Sequence, residues 1–144
     1  MYAPLPKPIP IDESNLTRYE LHIPSQLAKG VQNGTVQHYF LEDTDNYWKD
    51  AIEEVRNNKA YIVLLEEEQN IEIKKLYHNK NIGFQKLVYE KPTTFNGDFF
   101  IRGVQIETKE FALRNGMLEK DLLNQFKGID KSELLLIHFT DFRY

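Results

Sequence analysis

The stretch YIVLLEEEQNIEIKKLYHNKNIGFQKLVY, Tyr61 to Tyr89, decides the fold. Its opening run, Tyr61-Ile62-Val63-Leu64-Leu65, is rich in branched and aromatic side chains and is the strongest strand signal in the chain. Two further strands follow, Ile71 to Tyr77 and Phe84 to Tyr89, joined by the polar loop His78 to Asn81. Three successive strand readings make this region sheet.

Upstream, Thr17 to Ile23 alternates as a strand with Tyr19, Leu21 and Ile23 on one face. Pro24-Ser25 opens a single helical turn over Gln26 to Lys29, which Gly30 would close. Asn33-Gly34 signals a turn before a strand or edge element from Thr35 to Leu41. Asp45 is placed to cap a helix over Asn46 to Asn57, whose apolar stripe is Tyr47 or Trp48, Ala51, Ile52 and Val55. Downstream, the link Lys91 to Gly97 carries a proline that suits a loop or an edge. Asp98 to Arg102 and Val104 to Thr108 read as strands separated near Gly103. Glu110 to Arg114 either prolongs the second strand or begins a helix, and Asn115-Gly116 breaks both. Leu118, Leu122 and Phe126 mark a second helix ended near Gly128. Ser132 to Phe139 closes this pattern with a buried strand. The sum is a single α+β domain over residues 15–144, with about six strands in a mainly antiparallel sheet and two principal helices. Prolines at 4, 6, 8 and 10 make residues 1–14 an extended, polyproline-like lead-in.

Composition narrows the function classes. A chain of 144 residues fits one domain. Its 18 basic residues against 22 acidic ones give a net charge of -4, an unfavourable balance for coating a polynucleotide. The absence of cysteine removes disulfide scaffolds, thiolate metal sites and cysteine nucleophiles. Neither a secretion-type start nor an apolar run long enough for a membrane span is visible, so the expected location is cytoplasmic. The glycines form no phosphate loop or dinucleotide fingerprint, and no G-x-S-x-G elbow occurs. Lys74, Lys75, Lys80, Lys86 and Lys91 interleave with Tyr77, Phe84 and Tyr89. That mixture would suit a single-stranded nucleic acid, or simply a hairpin with one wet face.

Two constellations carry candidate chemistry. Asp98 lies nine residues before Glu107-Thr108-Lys109, an acid followed by E-x-K. On a strand, Glu107 and Lys109 would share a face, and Asp98 on the neighbouring strand could reach them. This pattern resembles the PD-(D/E)xK nucleases. The resemblance implies that Asp98 and Glu107 bind Mg²⁺ or Mn²⁺ and that Lys109 assists the attacking water, with Glu53 or Glu54 adding an acid. His138, in an apolar strand, reads as a core histidine, although Asp141 could orient it as a base. His22, His38 and His78 show no metal-ligand spacing.

The second constellation is acidic and aromatic. Asp43, Asp45, Asp50, Glu53 and Glu54 surround Tyr39, Tyr47 and Trp48 in the sequence. Such a surface steers a basic partner electrostatically and offers rings as desolvated anchors. With no cofactor motif, the expected function is an acidic protein-binding module, of the inhibitor, immunity-protein or phage-regulator kind. A metal-dependent nuclease and a structural subunit of a larger assembly are the alternatives.

Overall fold

The structure, a computed structural model, describes residues 12–91 and 97–144. The proline-rich lead-in lies outside the described residues as far as residue 11, as do residues 92–96 of the expected loop or edge. The chain forms one α+β domain. Among the described residues there are eight strands: β1 (Thr17–Ile23), β2 (His38–Leu41), β3 (Ala60–Glu66), β4 (Glu72–Leu76), β5 (Gly83–Glu90), β6 (Asp98–Ile101), β7 (Val104–Ile106) and β8 (Lys131–His138). The four α-helices are α1 (Ala28–Asn33), α2 (Tyr47–Arg56), α3 (Thr108–Arg114) and α4 (Glu119–Gln125).

The strands build two sheets rather than one. The small sheet has the order β1-β3-β4, with β1 parallel to β3 and β4 antiparallel to it. The large sheet, β2-β8-β5-β6-β7, is antiparallel throughout. Joining β1 to β3 in parallel requires a crossover, and α1, β2 and α2 form it. Periodicity registers strands but not their partners, which is why the split into two sheets was not visible in the sequence.

Three apolar clusters fill the spaces around these sheets. Leu21, Ile23, Ile62 and Leu64 of the small sheet meet Ile52 and Val55 of α2 and Leu135 and Ile137 of β8. On the other face of the large sheet, Leu87, Leu134 and Leu136 pack against Phe111 of α3 and Leu122 of α4. A third group, Tyr61, Val63 and Leu65, occupies the opposite face of β3, beside Leu16 and Tyr77. Every residue from Ala60 to Leu65 is therefore buried, and each fully buried Val, Leu or Ile contributes about 1.5–3 kcal/mol.

Local geometry corrects several boundaries. Gly30 does not end a helical turn: α1 runs through it, and Gly34, at φ 85°, closes the helix. Gly30 serves close packing instead, since a Cβ there would sit 2.5 Å from Val36 Cγ2. The strand expected from Thr35 begins only at His38. Asp45 does not cap α2, because Asp45 and Asn46 both adopt positive φ. Asp43 caps it, its carboxylate accepting from the Trp48 N–H at 2.8 Å and the Lys49 N–H at 3.1 Å. The strand expected over Val104 to Thr108 stops at Ile106, and α3 starts at Thr108.

Candidate functional site

The acidic and aromatic residues meet on one flank of α2. Tyr47, Asp50 and Glu54 follow one another at i, i+3 and i+7 and share a stripe of that helix. Lys49 and Arg56, also seven apart, share a different stripe, so the helix separates its charges. Trp48, Ala51, Ile52 and Val55 make the inward face, with Trp48 half-buried against the core. Tyr47 remains 55 % exposed. Its ring is fixed edge-on to Trp48 at 5.2 Å and to Tyr19 of β1 at 5.8 Å. The Tyr19 hydroxyl donates to Glu54. That hydrogen bond, then burial, pushes the Tyr19 pKa up to about 12, so the phenol stays protonated and remains a donor.

Not every expected contributor belongs to this flank. Tyr39 packs half-buried against the core from β2 and makes ring contact with Phe40 rather than with Tyr47 or Trp48. The Asp43 carboxylate is committed to the start of α2. Asp45 and Glu53 are exposed, Asp45 on the turn before α2 and Glu53 on the helix between its two charged stripes. Tyr19 is the member that strand alternation concealed, because that pattern assigns it simply to the inner face of β1.

The acid and E-x-K constellation takes a different shape from a strand face. The ladder pairs Phe99 with Ile106, so extending it by one residue sets Asp98 across from Glu107. Glu107, however, is the residue before α3, and Lys109 lies in that helix's first turn. The period-two argument that put Glu107 and Lys109 on one face therefore does not apply. Asp98 is half-buried with Glu90 as its partner on β5, while Glu107 and Lys109 are exposed. Among the described residues, no group of three or more His, Cys, Asp or Glu side chains is arranged to hold a metal ion.

A polar network was also hidden by sequence separation. His38 of β2 and His138 of β8 are ladder partners, and both are fully buried. Asn115 donates its amide to the Phe111 carbonyl at 2.9 Å, which turns its oxygen toward His38 Nδ1 at 2.9 Å. His38 therefore donates from Nδ1 and accepts at Nε2 from the Tyr144 hydroxyl, 2.7 Å away. His138 Nε2 donates to Gln85 Oε1 at 2.9 Å. The same amide group brackets the Tyr144 backbone, accepting from its N–H and donating to its oxygen, each at 3.0 Å. Among the described residues, His138 Nδ1 has no hydrogen-bond partner. Gln85, rather than Asp141, orients His138. Burial lowers the pKa of His38 to about 4 and that of His138 to about 3, which holds both rings neutral. Five residues scattered from 38 to 144 make this network, and no spacing rule finds such a set.

No helix among the described residues is long and apolar enough to cross a membrane. No protein-family model matches the chain, and no curated protein and no solved structure matches it either.

Proposed function

We propose that the protein is a binding module whose α2 flank docks on a basic surface of another protein. The observation that carries this reading is Tyr47, a ring more than half exposed yet held in place by Tyr19 and Trp48. A large side chain that is already ordered loses little entropy on contact, which is the character of an interface anchor. Asp50 and Glu54 lie in the same stripe and supply the field that draws a cationic partner. Inhibition or escort of that partner follows from occupancy of its basic face and needs no bond-making group.

The test places a photo-crosslinking residue at Tyr47 in the cells that encode the protein, with Val104 as control position. The expected result is a discrete adduct with a basic protein at position 47 alone, lost when Asp50 and Glu54 are both changed to lysine. With that partner purified, Tyr47→Ala should weaken binding by at least about tenfold, the effect of removing an anchor worth roughly 2 kcal/mol. Identical crosslinking at both positions, or adducts indifferent to the charge reversal, would overturn the reading.

A further inference from the structure

The most informative unassigned feature is a groove at the open edge of β2, separate from the α2 flank. Its cavity measures about 480 Å³, with Tyr39 and Phe40 at its base. The side chains of Tyr39 and Phe40 point to opposite faces of the large sheet, Tyr39 toward the cluster with α2 and Phe40 toward that with α4. Only an edge of the strand is common to both, and β8 occupies the other edge. Pro24, Leu27, Met117 and Leu118 complete its apolar lining. The groove thus adjoins a strand edge and is lined mainly by apolar side chains.

Hydrogen-bond phase shows what that edge offers. The Phe139 N–H bonds the Gln37 carbonyl at 2.9 Å, while the Gln37 N–H turns to the Arg114 carbonyl at 2.9 Å, so within β2 residues 39 and 41 direct their backbone groups toward β8. His38 and Phe40 direct theirs away from it. Among the described residues, the Phe40 N–H and carbonyl make no hydrogen bond to another element. Leu118 is 58 % exposed on the wall. Asp121 is the only charged residue of the lining.

We infer that this groove takes an extended segment of a partner polypeptide, which adds to β2 as a sixth strand of the large sheet. Backbone pairing with Phe40 fixes the register of the added strand, and the apolar lining accepts alternate side chains. Asp121 selects lysine or arginine at the remaining positions. A helix cannot satisfy the exposed Phe40 backbone groups, and an acidic strand meets only like charge. β-strand addition here is independent of the contact proposed at Tyr47, since no lining residue belongs to the α2 flank.

The experiment selects random displayed peptides on the intact protein, with counter-selection on Leu118→Lys. That substitution alters an exposed wall residue and should leave the fold intact, as circular dichroism will verify. Enriched peptides should alternate apolar with basic residues and bind Tyr47→Ala as tightly as the parent protein. At saturation they should slow hydrogen exchange of the Phe40 amide by at least about tenfold, the protection expected of a newly bonded edge group. Methylating alternate backbone nitrogens of the best peptide should abolish binding in one phase only. The inference is overturned if nothing is enriched over Leu118→Lys, if the peptides bind as helices, or if Phe40 exchange is unchanged. A concentration-dependent dimer that Leu118→Lys dissociates would also overturn it, by assigning the edge to a second copy.

Discussion

His38 and His138 face each other across the β2–β8 ladder, their rings edge to face with centroids 5.5 Å apart and both fully buried. Around them, Tyr144, Gln85 and Asn115 bind each ring in its neutral form. The tail is fastened over the pair by further contacts. Arg114 stacks on Phe142 at 3.8 Å, and Arg143 donates to the Asn81 carbonyl at 2.5 Å.

Stability should therefore begin to fall with acid near pH 6.5, above the range where carboxylates titrate. The unfolded chain protonates its histidines near pH 6.5, whereas the folded pKa values are lowered to about 4 and about 3. Between those limits the unfolded state binds more protons, so stability is complete above pH 6.5 and drains away as pH drops. Each histidine contributes a slope of up to about 1.4 kcal/mol per pH unit. Urea titrations at intervals from pH 7.5 to 4.5 should show this decline, and His138→Phe should remove about half of it. A flat profile down to pH 5 would refute the assignment.

Tyr144→Phe leaves His38 Nε2 buried without its donor. The cost should be about 1–2 kcal/mol, the usual penalty of an orphaned buried acceptor. In a His38→Phe background the same change should cost much less, because no acceptor remains to orphan. Chemical denaturation of the four proteins of this cycle measures the coupling.

Two left-handed glycines should respond differently to alanine. At Gly116, with φ 73°, a Cβ would stand 2.6 Å from Val36 Cγ2 and 2.9 Å from Leu27 Cδ2. At Gly103, with φ 75°, it would meet nothing within 4 Å. Both substitutions carry a backbone penalty of about 1–2 kcal/mol, and Gly116→Ala should add overpacking of about 1–3 kcal/mol. Thermal melts of the two variants separate the terms.

The start of α2 offers a comparison between adjacent acids. Asp43→Ala should cost about 1 kcal/mol by removing the acceptor for two helix N–H groups. Asp45 sits at φ 61° without that duty, so Asp45→Gly should be neutral or stabilising by up to about 1 kcal/mol. Equal losses at the two sites would show that the cap has been misassigned.

Much of the secondary structure was legible because periodicity and punctuation are local. The limits of Thr17–Ile23 were readable to the residue, and α2 agreed within one residue at each end. Pairing was less accessible: nothing near Thr17 announces a parallel partner at Ala60. The expected strand over Val104 to Thr108 overran into α3 because Gln105 to Lys109 suits either conformation until Phe111 and Ala112 are buried against α4. At the candidate site, Tyr47, Trp48, Asp50 and Glu54 lie together because one helix holds them. Tyr39 does not join them because proximity in sequence does not survive the turn between β2 and α2. Tyr19 joins them through Glu54, which lies on another element and far away in the sequence.

The placement of β8 has a consequence for biosynthesis. This strand lies between β2 and β5, yet it leaves the ribosome after both. Until it arrives, β2 has no neighbour in its sheet, and the helical layer of α3 and α4 has half a floor. The small sheet, by contrast, can zip as soon as β4 emerges. The large sheet can therefore be completed only after all three strands of the small sheet have been made.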